Sequence, residues 1–399
     1  MRILQINTVA NSVSTGRITE EIGNMLLENG HESYIAHGRK QLNSTSNLIK
    51  IGTTFDAYAH GAYTRLTDRH GFASVRATKA LIAKIRTIKP DLIALHNLHG
   101  YYINIQLLFN FIKESSIPVV WTLFDCWAFT GHCSYFDDIN CTKWKTQCMQ
   151  CPKHKKYPKS FVDNSRLNFN DKKNLFTNVN NLEIVTHSKW LANLVNQSFL
   201  SEYKVNVSPS AINLDLFKPL VSDLKEKFDI KDKSVILGCA SVWSTRKGLD
   251  DFLKLNKIIG KEYQIVLIGL NMKQIKLLPD TIIGINRTES IEELAKWYSL
   301  ASVFVNPTTQ DNFPTTNIEA LACGTPIFTY NTGGSPEAID KEIGEVVEKG
   351  DVYGLYDAIK HLASMNQKTL SDRCLKHAQN EFDKRIRYLD YLDIFKKCQ

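Results

Sequence analysis

Short β-rich runs alternate with helix-period segments along nearly the whole chain, a pattern that leaves few folds open. In a first set the runs are Ile3–Ile6, Ser33–Ala36, Asp91–His96, Val119–Leu123 and Leu182–Thr186. In a second they are Val235–Cys239, Gln264–Ile268, Thr281–Ile285, Val303–Val305 and Pro326–Tyr330. Repeated βα units close into parallel sheets covered by helices on both faces. The segments between the runs supply those helices: Ile18, Ile22, Met25 and Leu26 make an apolar stripe at helical spacing, suited to lying on a sheet. Between the two sets, the stretch Ser208–Pro219 carries two prolines and no strand pattern. Two α/β domains are therefore predicted, and 399 residues suit two, since a domain usually takes roughly 100 to 200. The predicted bounds are 1–208, with a cysteine-rich insertion near 126–160, then 209–375, then a charged helical segment over 376–399 that packs back across the domains.

Hydrophobic residues make up 43% and charged residues 23% of the chain, and no run of about 18 apolar residues occurs, so no membrane-spanning helix is expected. The opening MRILQIN enters a strand without a charged leader or cleavage site, and the expected location is the cytoplasm. A net charge of +8 suits phosphate-bearing ligands or an anionic membrane surface. The basic residues are dispersed and form no nucleic-acid motif, so nucleic acid is not an expected partner.

Three segments carry the chemistry. After the first run, Gly16 is read as a turn glycine ahead of an amphipathic helix, whose exposed N–H groups and dipole favour a diphosphate. Mere turn chemistry explains the same residue. After Val235–Cys239 come Arg246 and Lys247, two cations placed to hold a diphosphate and stabilise it as a leaving group, or else a solvated pair in a loop. The third segment is VNPTTQDNFPTTNIEALACGTPIFTYNTGGSPE. Asp311 is placed in a loop after a strand, and Glu319 in the first turn of the next helix. Carboxylates accept hydrogen bonds from hydroxyls, which suits a sugar and a ribose. A capping box between Thr316 and Glu319 is the ligand-free alternative. Gly324 reads as the helix C-cap, and Gly333-Gly334 as a tight turn or a backbone contact to phosphate or sugar.

The ordered set resembles the retaining glycosyltransferases of family 4. Asp311-x7-Glu319, ALACGTP and Gly333-Gly334-x-Pro336-Glu337 look like that family's C-terminal signature. Arg246–Gly248, the segment from Ser188, INLDLFKP, STGRI, LHNLHGYYINI and WTLFDCWAFTGHC have counterparts in order, the last two in a capsule, O-antigen and colanic acid-type exopolysaccharide branch. The resemblance implies a GT-B fold, two facing Rossmann-like domains with the reaction in the cleft between them. It implies transfer of a hexosyl type from a UDP- or GDP-linked sugar to a glycan, expected to be lipid-linked, with peripheral contact at the inner membrane face. By the same resemblance Glu319 binds the ribose and Asp311 the donor sugar, with Asn312 and Phe313 beside it. Lys247, helped by Arg246, neutralises the diphosphate, Gly16 and Gly333-Gly334 touch phosphate or sugar, and no metal is required for catalysis.

Departures from the family pattern fall in both domains. Relatives carry a histidine where this chain has Phe124, leaving Asp125 as the catalytic candidate there, with His99 or His132 as substitutes. The usual Asn-Gly of the linker is Ser210-Ala211, and Ser241 stands where a second diphosphate-binding arginine is common. A GT-B epimerase acting on the donor alone, or a decayed sugar-nucleotide-binding protein, are the alternative readings. Cys133, Cys141, Cys148 and Cys151 form a local quartet ending in C-x2-C, read either as a structural zinc site bracing an insertion poor in apolar residues or as free thiols or disulfides formed on oxidation.

Overall fold

A computed structural model describes residues 1–398 and divides into two compact units, Met1–Ser208 with the C-terminal stretch from Tyr388, and Pro209–Arg387. In the first unit seven strands form one sheet: β1 (Arg2–Asn7), β2 (Glu32–His37), β3 (Asn47–Lys50), β4 (Leu92–Leu95), β5 (Val119–Leu123), β6 (Leu182–Thr186) and β7 (Val205–Val207). Helices α1 (Val13–Glu28), α2 (Thr54–Thr67), α3 (Val75–Ile88), α4 (Ile105–Glu114), α5 (Ser165–Phe176) and α6 (Lys189–Asn196) link them. The second unit holds six strands: β8 (Ser234–Cys239), β9 (Tyr263–Ile268), β10 (Ile282–Ile285), β11 (Val303–Asn306), β12 (Ile327–Tyr330) and β13 (Gly344–Val347). Its helices are α7 (Leu224–Lys227), α8 (Leu249–Ile258), α9 (Met272–Ile275), α10 (Ile291–Leu300), α11 (Thr315–Ala322), α12 (Val352–Leu362) and α13 (Gln367–Phe382), and the chain ends in α14 (Lys384–Lys397). Every strand pairing is parallel. Among the described residues no helix is long and apolar enough to cross a membrane.

The strand orders are β3-β2-β1-β4-β5-β6-β7 and β10-β9-β8-β11-β12-β13. In each sheet the chain winds outward from a first strand and then restarts on that strand's other side, so the order reverses between β1 and β4 and between β8 and β11. Connections diverge at such a reversal, and the carboxyl ends of the strands are left with an open crevice. Alternation along the strands explains why both faces are covered. In the second unit Val235 and Leu237 join one core with Val266 and Phe304, while Ile236 joins a second core with Ile265, Leu267, Val303 and Val305. Side chains two apart share a face, so each strand feeds two cores.

Two features differ from the sequence expectation. Helix α13 lies wholly in the second unit, because Leu370, Cys374, Ala378 and Phe382 recur every fourth residue and are buried on that unit's cores. The helical segment predicted from 376 is thus not a single body, and only the part from Tyr388 belongs with the first unit. There Tyr391 is fully buried, its hydroxyl 3.4 Å from that of Thr122 on β5. The cysteine-rich insertion also has apolar packing of its own: Trp144 stacks on Phe136 at 5.0 Å and lies 5.4 Å from Phe129, all three buried.

Candidate active site

The β8/β11 reversal of the second unit gathers the loops after β8, β11 and β12. Lys247 Nζ donates to Asp311 Oδ2 at 2.6 Å, and the Arg246 guanidinium donates to the Gln310 carbonyl at 2.6 Å while standing 3.7 Å from Asp311. The Thr309 N–H and the Thr308 hydroxyl both donate to the Arg246 carbonyl, at 2.8 and 3.2 Å, joining the two loops. Gly248, at φ +76°, makes this approach possible, since a Cβ there would lie 2.3 Å from the Pro307 carbonyl oxygen. Gly333, at φ +55°, does the same from the other side: its Cβ would lie 1.9 Å from the Asp311 carbonyl oxygen, to which the Gly334 N–H donates at 3.2 Å. The double glycine therefore clamps the backbone of Asp311, a positioning task that its motif does not announce.

Glu319 lies in the second turn of α11, not the first. The helix begins at Thr315 after Pro314 with no side-chain cap, so Thr316 is already helical and the capping box does not form. The Tyr298 hydroxyl on α10 donates to Glu319 Oε2 at 2.9 Å. Burial, and then the neighbouring Cys239 and Glu319, push the Tyr298 phenol well above its usual range, so it stays a donor. Cys239 at the end of β8 is likewise pushed up to about 12, by burial and then by the charge of Glu319, and stays a thiol. Asn306 and Asn317 form a buried amide pair at 2.7 Å, and Asn317 reaches the Ser335 carbonyl at 3.3 Å, fixing α11 to β11 and to the turn after Gly334. Neither Tyr298 nor this pair was picked out from the sequence. Asn312 is buried beside Asp311, to whose Oδ1 its own N–H donates at 3.1 Å. Phe313 corrects the expectation: its ring is buried in the core, 5.8 Å from Phe382, and serves packing.

In the first unit the β1/β4 reversal brings together the loops after β1 and β4, where the Thr8 hydroxyl is hydrogen-bonded to the His99 carbonyl at 2.6 Å. Gly16 is not a turn residue ahead of α1. It is buried inside the first turn, its carbonyl accepts from the Asn11 N–H at 3.1 Å, and a Cβ would lie 2.9 Å from Val9 Cγ2, so the glycine lets the loop pack onto the helix. Asp125, in the loop after β5, pairs through Oδ2 with His99 Nε2 at 2.9 Å and accepts the Trp127 N–H on Oδ1 at 2.9 Å. His99 Nδ1 lies 2.8 Å from the Tyr157 hydroxyl. His99 is thus the histidine joined to Asp125, whereas His132 is fully buried against Asp68, 64 residues away in sequence, and is structural. Phe124 sits between two buried histidines, 5.1 Å from His187 and 6.2 Å from His96. Burial lowers these to about 4 and about 3, so both are neutral at ordinary pH. The fully buried Lys172 ammonium donates to the Trp127 and Thr130 carbonyls at 2.7 and 3.1 Å, fixing the loop that carries Asp125.

The four cysteines line one cavity of about 20 Å³. The Cys133 and Cys151 thiols are hydrogen-bonded to each other, which lowers Cys151 to about 6 and, with burial, pushes Cys133 well up. Burial pushes Cys148 up to about 12. Among the described residues no three His, Cys, Asp or Glu side chains are grouped so as to hold a metal ion.

Residues 233–365 match the family model described as Glycosyl transferases group 1. WcaC of Escherichia coli K12, named for glycosyl transfer in colanic acid biosynthesis, is 23% identical over 378 residues, 90% of each chain. CapM of Staphylococcus aureus, named a capsular polysaccharide biosynthesis glycosyltransferase, is 24% identical over 210 residues, 48% of this chain and 55% of that one. Sucrose-phosphate synthase of Thermosynechococcus elongatus superposes with a TM-score of 0.73 at 16% identity, covering 99% of this chain and 98% of its own. HepE of Anabaena in complex with UDP superposes with a TM-score of 0.70 at 12% identity over the full length of both. Two parallel doubly wound units of this kind define the GT-B fold. The second unit thus carries the group 1 glycosyltransferase pattern, and the chain as a whole is similar to family 4 glycosyltransferases of the capsule and exopolysaccharide branch.

Proposed function

We propose that this glycosyltransferase moves a hexosyl group, with retention, from a nucleoside diphosphate sugar to a lipid-linked glycan in cell-surface polysaccharide synthesis, at the inner face of the membrane. The observation that carries this reading is the Lys247–Asp311 pair beside Glu319 at the β8/β11 reversal. Lys247 and Arg246 bring two cations to one crevice, where a diphosphate is stabilised as it leaves. Glu319, held by Tyr298, offers its carboxylate to the ribose hydroxyls, and Asp311 offers its own to the sugar. In the transfer, the acceptor oxygen forms a bond to the anomeric carbon on the face from which the diphosphate departs. The carbon–oxygen bond to phosphate breaks with its electron pair, and the acceptor proton passes to the departing phosphate oxygen. Asp125 with His99 orients the acceptor hydroxyl. Support for the donor class comes from HepE, solved with UDP and with UDP-glucose, and support for the pathway from the names of WcaC and CapM.

The test is incubation of the purified chain with labelled nucleotide sugars and the lipid extract of its source cells. Label should move to lipid, and Glu319→Ala should abolish the movement. Epimerised donor without transfer, or equal transfer by the variant, contradicts the proposal.

A further inference from the structure

Helix α2 is apolar on the side that faces away from its own unit. Its buried residues are Ala57, His60 and Thr64, and at about 100° per residue the opposite side carries Phe55, Ala59, Ala62 and Leu66, flanked by Tyr58 and Tyr63. Phe55 is 79% exposed, Tyr58 72% and Leu66 65%. In water a surface helix places polar residues there. Here the charged side chains of the helix are Asp56, which is taken up in a capping box with Thr53, and Arg65.

The surface continues past the end of the helix. The Phe161 N–H and the Ser160 hydroxyl both donate to the Arg65 carbonyl, at 2.8 and 3.2 Å, which sets Phe161, 65% exposed, beside the last turn of α2. The same segment presents exposed Lys155, Lys156 and Lys159 and contains no acidic residue from Pro152 to Val162. The next helix, α3, exposes Arg76, Lys79, Lys84 and Arg86 and likewise has no acidic residue. Asp68, between the two helices, is buried with His132.

We propose that α2 and the segment Lys155–Val162 form a docking surface for an anionic phospholipid bilayer, with Phe55, Tyr58, Leu66 and Phe161 entering the headgroup boundary and the lysines meeting lipid phosphates. An apolar helix face rimmed by cations matches an interface with low-dielectric material beneath a layer of negative charge. A second copy of the chain fits less well, because a two-fold contact would set the same lysines against each other. The surface deepens the proposed function and rests on its lipid-linked acceptor for biological purpose. Its test needs no transfer activity, so the two can fail separately.

The full chain is floated with vesicles of phosphatidylglycerol mixed equally with phosphatidylcholine, and with phosphatidylcholine alone. Binding to the anionic vesicles is expected, with weak binding to the neutral ones and a decline as salt is raised. Combined Lys155→Gln, Lys156→Gln and Lys159→Gln should lower partitioning on the order of 100-fold, since one basic residue near such a surface contributes about fivefold. Combined Phe55→Ser and Leu66→Ser should lower partitioning at unchanged thermal stability, both side chains being exposed. Absence of binding to anionic vesicles, or binding indifferent to both variants, overturns the proposal. So does a concentration-dependent dimer that the Phe55→Ser, Leu66→Ser variant abolishes.

Discussion

Gly333→Ala tests how the donor loop is held. The substitution has two costs that can be separated. A side chain at φ +55° carries a backbone penalty of roughly 1–2 kcal/mol. The new Cβ would also lie 1.9 Å from the Asp311 carbonyl oxygen, and real Cβ contacts begin near 3.0 Å, so the Asp311 backbone must retreat by about 1 Å. That carbonyl belongs to the residue whose carboxylate meets Lys247 at 2.6 Å, and a shift of this size takes the pair out of hydrogen-bond range. Misplacement by about 1 Å lowers a positioned reaction roughly 100-fold. Gly350→Ala is the control: its φ is +83°, nothing lies within 4 Å of the new Cβ, and it bears the backbone penalty alone. Both variants should lose a few degrees of Tm, at about 2–4 °C per kcal/mol for a unit of this size. Sugar transfer should fall about 100-fold in Gly333→Ala and stay near the parent value in Gly350→Ala. Full activity in Gly333→Ala, or an equal fall in both, refutes the clamp.

The first unit should be selectively acid-labile. Burial lowers His60, His96 and His187 to about 4, 3 and 4, so their stabilising contribution is complete above the unfolded value of 6.5 and is lost as pH falls toward about 4. At about pH 5 each forfeits about 2 kcal/mol, and urea unfolding should show an early transition of the first unit that is missing at about pH 7.5. Asp125→Asn should lower transfer by on the order of 100-fold or more while nucleotide affinity is unchanged, because Asp125 belongs to the first unit; a parallel loss of nucleotide binding would contradict this. Cys151 should alkylate with a pH midpoint below the ordinary thiol value of about 8.5, and Cys133→Ala should raise that midpoint; an unchanged midpoint rules out the thiol pair as its cause.

Most of the fold was legible because each inner strand is a short apolar run with a helix-period segment after it. Strands β3, β7 and β13, of four, three and four residues, lie at sheet edges, where runs are too short and too exposed to show a pattern. Lys247 and Asp311 were legible because each follows a strand end, and the strand order then brings the two loops together from 64 residues apart. Glu319 was found beside a misleading cap signal that Pro314 removes by starting the helix early. Tyr298 was missed because a buried tyrosine in an amphipathic helix looks like any core residue until the fold sets Glu319 opposite its hydroxyl. Gly16 and Phe313 were misassigned for a related reason: both sit next to loops that the motifs mark, and packing, which no local spacing encodes, turns them inward. His99 could be joined to Asp125 only once the loops after β4 and β5 were placed side by side.

Calorimetric titration of the full chain with UDP and GDP tests the donor site most directly. One of the two should bind saturably, and Lys247→Ala and Glu319→Ala should each weaken it by on the order of tenfold or more, as removal of a charged hydrogen-bond partner does. Neither nucleotide binding to the parent chain, or affinity unchanged in both variants, would contradict the site.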